Sequence, residues 1–163
     1  MKFDIDEIRH GIRNGEFKNI GNGTGRSVYD IGEGIVAKNA KNIGGIAQNF
    51  TEHAIYSNRC SNIFAKVYTL SHDGEILLME KAKPLEDMDK LLEHFNACCR
   101  KHFASTQLVK YLSRKYKLLP ADLCKPGSWG ETENGLVLID YGFTKWVSRN
   151  FYYDFSRKYS LLC

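Results

Sequence analysis

The chain has little of what marks membrane, secreted or metal-scaffold proteins. No window of its 163 residues approaches the roughly 18 consecutive apolar residues of a membrane-spanning helix. The N-terminus, MKFDIDEIRH, lacks the apolar core of a signal peptide, and the five cysteines show no CxxC spacing. Lys and Arg outnumber Asp and Glu by only 23 to 19, too small an excess to indicate a dedicated nucleic-acid surface. We therefore expect a cytoplasmic protein with neither a membrane nor a nucleic acid as its partner.

The residues that are present indicate a folded globule. The chain is 43% hydrophobic and 12% aromatic with charges of both signs, and its length suits one hydrophobic core. We expect a single domain over residues 1–163 with a β-rich lobe at 1–80, a hinge at 81–84 and a helical lobe at 85–163. The expected fold class is α+β, with an antiparallel sheet and one helix in the first lobe.

Hydrophobic periodicity and turn residues place the elements. Strands are expected at 17–20, 27–31, 35–40, 64–70 and 75–80, and a hairpin has its second arm at 136–139. Helices are expected at 4–14, 46–57, 85–103, 106–117 and 145–163. The helix at 46–57 has an apolar side formed by Ile46, Phe50, Ala54 and Ile55. The last helix, which is aromatic and basic, either covers the core or offers a surface for a nucleic acid or a partner.

The glycine-rich stretch IGNGTGRSVYDIGEGIVAK, residues 20–38, is a candidate phosphate loop, because glycine lets backbone amides approach phosphate oxygens closely. It lacks the lysine of a Walker A loop and opens a strand, unlike a dinucleotide-binding loop. A kinase-type GxGxxGxV loop fits better, with Gly21, Gly23 and Val28 in register. Gly25 then lies one place early and Arg26 occupies the third glycine position, where its guanidinium could either contact phosphate or fill an empty pocket. The alternative is an ordinary β-turn.

Two charged residues follow the loop at the spacing of a paired lysine and glutamate. Lys38 ends the strand sequence Val36-Ala37-Lys38, and Glu52 lies on the next helix. An ion pair between them would orient the lysine toward phosphates. The alternative for Glu52 is a solvated helix charge.

A second cluster of candidates lies near the C-terminus. The segment GLVLIDYG places Asp140 at the end of an apolar strand, where a buried carboxylate needs a cation or hydrogen bonds. We expect metal ligation there, and a strand cap is the alternative. Asp122 lies 18 residues earlier, and the hydroxyl of Ser128 could be a second oxygen ligand for magnesium. Asp122 could equally be the N-cap of a turn.

Taken in chain order, the glycine loop, VAK, the helix glutamate, the hairpin ending LLME and the IDYG segment resemble the protein kinase-like superfamily. The resemblance covers about residues 17–146 and is closest to small divergent kinase-like proteins of bacteria or phages. It implies ATP and Mg²⁺ as cofactors, with adenine against Glu80 to Ala82 and the glycine loop over the phosphates. It also implies that Lys38 contacts the phosphates, Glu52 orients Lys38, Asp140 holds the metal, and Asp122 accepts the proton of an acceptor hydroxyl.

The chain also departs from the family pattern. Only 21 residues follow Gly142, and Pro120-Ala121 replaces the His-Arg pair of the catalytic loop. We therefore expect a peptide-docking lobe to be essentially missing, with either a small acceptor or a partner protein that supplies the missing surface. The alternative function is a pseudokinase-type regulatory or interaction module that does not transfer phosphate.

Overall fold

The computed structural model describes residues 3–59 and 61–152 as a mixed chain of helices and antiparallel sheet. The expected α+β class is confirmed. The described residues divide into two compact units, one formed by residues 3–59 and 65–81, the other by residues 61–64 and 82–152. Each unit contains one sheet.

The first helix, α1 (Ile5–Asn14), forms where it is predicted. The Asp4 carboxylate accepts the amides of Asp6 and Glu7, both at 3.0 Å, and Gly15 ends the helix in the left-handed region with φ 73°. The buried side of α1 is centred on Ile8. Ile8 joins a core cluster on one face of the sheet, formed with Ile35, Ala37, Ile76 and Leu78.

The sheet of the first unit has five antiparallel strands in the order β1-β2-β3-β5-β4. Their bounds are β1 Lys18–Asn22, β2 Arg26–Gly32, β3 Ile35–Ala40, β4 Val67–Leu70 and β5 Ile76–Glu80. Lys38 on β3 lies opposite Val28 on β2 and Leu77 on β5, so these three side chains share one face. The strand expected from residue 64 begins only at Val67.

The helix α2 (Ile43–Ser57) begins three residues earlier than predicted. The Asn42 side chain caps it by accepting the amide of Gly45 at 3.0 Å. The predicted apolar side is wrong in part, because Ala54 is exposed and Phe50 is 47% exposed. Part of the buried side is polar instead, with the side chains of Gln48, Asn49 and Glu52.

The second unit contains five α-helices within the described residues. They are α3 Met88–His94, α4 Arg100–Ser105, α5 Gln107–Tyr116, α6 Pro120–Leu123 and α7 Lys145–Val147. A 3₁₀-helix, Pro126–Ser128, follows α6, and a π-helix, Ser148–Tyr152, follows α7. Residues 145–152 of the predicted last helix are thus helical, and residues 153–163 lie outside the described part of the chain. No described helix is long and apolar enough to cross a membrane.

The single helix predicted over 85–103 is wrong, because α3 ends at His94. Asn96 has φ 50°, and its amide and that of Ala97 donate to Glu93 and Leu92 at 3.1 and 2.8 Å. These bonds form a left-handed helix stop in which asparagine replaces the usual glycine.

A three-stranded antiparallel sheet completes the second unit, formed by β6 Lys83–Pro84, β7 Trp129–Thr132 and β8 Gly135–Leu138. Residues 83 and 84, predicted as hinge, therefore form a short strand. Trp129 is fully buried, and its indole N–H donates to the Leu123 carbonyl at 2.8 Å. This bond joins the sheet to α6.

Candidate functional site

Lys38 and Glu52 form the ion pair that their spacing predicts. The Lys38 Nζ donates to both carboxylate oxygens of Glu52 at 2.9 Å. Lys38 is 6% exposed and Glu52 is fully buried. The alternative of a solvated helix charge is therefore wrong for Glu52, which lies on the buried side of α2. The pair fixes the Lys38 ammonium group in one position on the sheet face.

Arg26 is the third member of this cluster. Its Nη1 and Nη2 donate to Glu52 at 2.8 and 3.1 Å, and Nη1 also lies 3.2 Å from the Asn49 Oδ1. Arg26 is 8% exposed. The residue in the third glycine position thus lies beside the same carboxylate as Lys38, and one anion receives hydrogen bonds from two cations. Sequence reasoning connected Lys38 with Glu52 but not Arg26 with Glu52.

The two cations control the ionisation of Glu52. Burial raises the pKa of this carboxyl, but the positive charges of Arg26 and Lys38 and their hydrogen bonds outweigh burial and lower the pKa from 4.5 to about 2. Glu52 is therefore ionised at every pH near neutrality.

Asn49 is a positioning residue that sequence reasoning missed. Its side-chain amide donates to the carbonyls of Gly74 and Glu75 at 2.9 and 3.1 Å and lies 3.3 Å from that of Lys38. It precedes Glu52 by three positions, so both side chains lie on the same face of α2. Asn49 thereby joins α2 to β3 and to the turn before β5. The available sequence signal was the pair of polar residues Asn49 and Glu52, three positions apart on a predicted helix.

The glycine loop is held against the beginning of α2. The Gly25 carbonyl accepts the Lys41 amide at 2.8 Å, and the Gly23 carbonyl accepts the Lys41 Nζ at 2.8 Å. Asn42 Nδ2 donates to the Thr24 carbonyl at 3.2 Å. The Gly23 amide donates to the Arg26 carbonyl at 2.8 Å, so the turn also closes on itself. The Gly23 amide is therefore already used within the loop.

The glycine-loop residues occupy distinct places around this turn. Gly21 lies on β1 opposite Val28, and a Cβ on Gly21 would meet the Val28 side chain at an ordinary 3.6 Å. Gly25 lies much closer to α2, because a Cβ built on Gly45 would come within 2.0 Å of the Gly25 carbonyl oxygen. The loop and the helix can approach only because Gly45 has no side chain.

In the second unit, two backbone bonds and one side-chain bond bring three predicted site residues together. The Ser128 carbonyl accepts the amides of Ile139 and Asp140 at 2.8 and 3.3 Å. The Ser128 hydroxyl donates to the Asp122 carbonyl at 2.8 Å. Asp122, Ser128 and Asp140 thus lie on neighbouring segments, although their sequence positions span 18 residues.

The two carboxylates of this group differ from their predicted surroundings. Asp140 lies two residues beyond the end of β8 and is exposed. The expectation that Asp140 is a buried carboxylate in need of a cation or hydrogen bonds is therefore wrong. The Asp122 side chain accepts the Lys125 Nζ at 2.5 Å. Asp122 lies within α6 rather than at its N-cap, so the turn-cap alternative is wrong.

The two predicted adenine contacts, Glu80 and Ala82, belong to different units. In the first unit, the Glu80 carboxylate accepts the Lys66 amide at 3.1 Å, and the Glu80 amide donates to the Lys66 carbonyl at 2.7 Å. In the second unit, Ala82 lies so close to Gly130 that a Cβ there would be 2.7 Å from the Ala82 Cβ.

Among residues 3–59 and 61–152, no three His, Cys, Asp or Glu side chains gather as a metal-binding group. A magnesium ion held mainly by phosphate oxygens and one carboxylate does not require such a group. No protein-family model matches the chain, and a search of curated proteins finds no significant match. The functional assignment therefore rests on the geometry and on the sequence resemblance.

Proposed function

We propose that the chain is a minimal kinase-like protein that binds ATP and Mg²⁺ and transfers phosphate to an acceptor hydroxyl. The observation that carries the proposal is the buried Lys38–Glu52 pair, with the Lys38 Nζ 2.9 Å from both Glu52 oxygens. A lysine held by a helix carboxylate on a sheet face suits the positioning of phosphates. Under this proposal the chain has a two-lobed kinase-like fold.

The proposal gives each residue one role. Lys38 contacts the α- and β-phosphates, and Glu52 orients it. The oxygen ligands of Asp140 and Ser128 fit Mg²⁺, a hard cation that would neutralise phosphate charge during transfer. Asp122 accepts the proton of the acceptor hydroxyl as the hydroxyl oxygen attacks the γ-phosphorus, and ADP is the leaving group. Adenine lies against the segment from Glu80 to Ala82, and a partner protein supplies any docking surface.

Nucleotide binding is tested by thermal unfolding with ATP and Mg²⁺, in the wild type and in Lys38→Met. A ligand at 100 times its Kd stabilises the folded state by about 2.7 kcal/mol, which raises the Tm by several degrees. We expect such a rise in the wild type and its loss in Lys38→Met. The variant should remain folded, because Glu52 keeps its two hydrogen bonds from Arg26.

The matched control is Lys18→Met, which removes one positive charge from an exposed position on β1 of the same sheet. Lys18→Met should keep the full nucleotide-dependent rise in Tm. Absence of any rise in the wild type at millimolar ATP, or an equal rise in Lys38→Met, would contradict the proposal.

The second candidate function is a pseudokinase-type module that binds without catalysis. Two contacts favour it: Arg26 bonds to the carboxylate that orients Lys38, and Lys125 bonds to the carboxylate of the proposed base Asp122. Labelled ATP separates the candidates through self-labelling and phosphate release. We expect turnover in the wild type and its loss in a folded Asp140→Asn variant. Stabilisation by ATP with no turnover would favour the module.

A further inference from the structure

The second unit carries a concentration of positive charge that the proposed function does not use. Residues 94–121 include no aspartate or glutamate. The same segment includes six lysines and arginines, which are Arg100, Lys101, Lys110, Arg114, Lys115 and Lys117. The net charge of the whole chain, +4, does not show this local excess of positive charge. Such a segment favours an anionic ligand.

Four cations line one cavity on this segment. The cavity has a volume of about 390 Å³ and lies beside α5, within the second unit. Its charged lining consists of Lys110, Arg114, Lys117 and Lys145. The remaining lining is formed by Ala104, Val109, Ser113 and Pro120. This volume suits a small ligand rather than a protein segment.

Backbone bonds hold two separate parts of the chain together at this cavity. Lys117 ends α5 in the left-handed region with φ 59°, and its carbonyl accepts the Lys145 amide at 3.0 Å. Leu118 and Thr144 form an antiparallel bridge beside that bond, and both are buried. Lys145 is therefore fixed beside the end of α5, although 28 positions separate it from Lys117.

None of the four cations forms an ion pair with a residue in the described ranges. The next acidic residue after the segment, Asp122, is bonded to Lys125. Cations at a helix C-terminus are stabilised by the helix dipole, which accounts for Arg114 and Lys117. It does not account for Lys110, in the middle of α5, or for Lys145, on another segment. Four cations that line one cavity repel each other unless an anion binds between them.

We propose that this cavity binds a compound carrying closely spaced phosphate groups. Lysine and arginine side chains donate strong charge-assisted hydrogen bonds to phosphate oxygens, and the Ser113 hydroxyl adds an uncharged donor. Four positive charges match a diphosphate or triphosphate better than a single monovalent anion. All lining residues belong to the second unit, and none has a role in the proposed nucleotide site. The inference thus stands independently of the proposed function.

Calorimetric titration with inorganic tripolyphosphate tests the proposal in the whole chain. The test variant is Lys110→Gln with Lys145→Gln, which removes two cavity charges from exposed positions. The control is Lys101→Gln with Lys115→Gln, which removes two charges from exposed positions that do not line the cavity. We expect the Kd to rise at least tenfold in the test variant and less than threefold in the control. Lys38→Met should bind tripolyphosphate as the wild type does.

Four results would overturn the proposal. Absence of tripolyphosphate binding to the wild type would remove the site. Equal losses in the test variant and the control would show a diffuse electrostatic effect. Loss of binding in Lys38→Met would place tripolyphosphate at the nucleotide site instead. A parallel titration with a single-stranded oligonucleotide identifies the source of the phosphates. If the oligonucleotide binds more tightly than tripolyphosphate, and if both double variants lose this binding equally, the whole basic segment binds nucleic acid. That result would overturn the proposal of a phosphate site in the cavity.

Discussion

Replacing Gly45 with alanine should destabilise the protein by about 3 kcal/mol, although glycine-to-alanine changes within helices usually stabilise. The added Cβ would lie 2.0 Å from the Gly25 carbonyl oxygen and 3.2 Å from the Ala40 Cα. Both are backbone atoms, so no flexible side chain can move aside. The glycine loop would have to separate from α2, with loss of the bonds from Lys41 and Asn42. Urea unfolding followed by circular dichroism measures the change.

Gly127→Ala is the matched control for this prediction. A Cβ at Gly127 meets nothing within 4 Å, and Gly127 lies outside the left-handed region. Its free energy of unfolding should therefore stay within about 0.5 kcal/mol of the wild type. If Gly45→Ala were as stable as Gly127→Ala, the glycine loop would not lie as close to α2 at Gly45 as described.

Glu52→Gln should be at least as damaging, with a loss of about 3–5 kcal/mol, because it leaves two buried cations without their carboxylate. Arg26 and Lys38 are only 8% and 6% exposed, so water cannot readily replace the lost anion. The comparison is Glu75→Gln, which removes one of two carboxylates bonded to Arg9 at a position where the Glu75 side chain is 45% exposed. A surface pair of this kind contributes less than about 1 kcal/mol.

The pH dependence of stability in the wild type and in Glu52→Gln gives a second check. The pKa of Glu52 is about 2 in the folded state and 4.5 without its partners, so in this interval the unfolded state binds more protons. Stability from Glu52 is complete above pH 4.5 and is lost as pH falls toward 2. The difference in unfolding free energy between the wild type and Glu52→Gln should therefore shrink across this interval. A constant difference between pH 5 and pH 2.5 would show that Glu52 does not titrate as an ion-paired carboxylate.

Local sequence signals predicted the first unit well where turns and caps determine the structure. Asp4 and Gly15 mark both ends of α1, and β3 has its predicted bounds, with Gly32 and Gly34 in the turn before it. The prediction failed at the start of α2, because Gly44 and Gly45 have low helix propensity. A tertiary contact decides that position: the helix needs a glycine where it meets Gly25. No local pattern contains that information.

The second unit shows the opposite failure, in which a usable signal was missed. Asn96 follows an apolar helical stretch, and asparagine tolerates the left-handed conformation that ends helices. After this stop, Phe95 stacks on Phe103 at a ring distance of 5.1 Å and contacts Trp129 at 5.0 Å. Aromatic packing therefore stabilises the break in the helix, whereas helical periodicity alone favours one continuous helix over 85–103.

Within the candidate site, motif spacing predicted the Lys38–Glu52 pair but not its third member. Spacing identifies which residues lie on adjacent elements, and it brought a strand lysine and a helix glutamate together. It does not identify which of several cations a buried carboxylate will bind. Sequence reasoning left Arg26 either on phosphate or in an empty pocket, whereas its guanidinium bonds to Glu52 and Asn49.

The position of β1 at the end of the sheet bears on aggregation. An outermost strand offers unpaired backbone groups to which another chain could add a strand. β1 has only five residues, begins with Lys18 and carries a register shift between Asn19 and Gly21. Ile20, at 43% exposure, is its only large apolar side chain. The register shift next to Gly21, a residue of the candidate phosphate loop, thus also discourages strand addition, whatever ligand the loop binds.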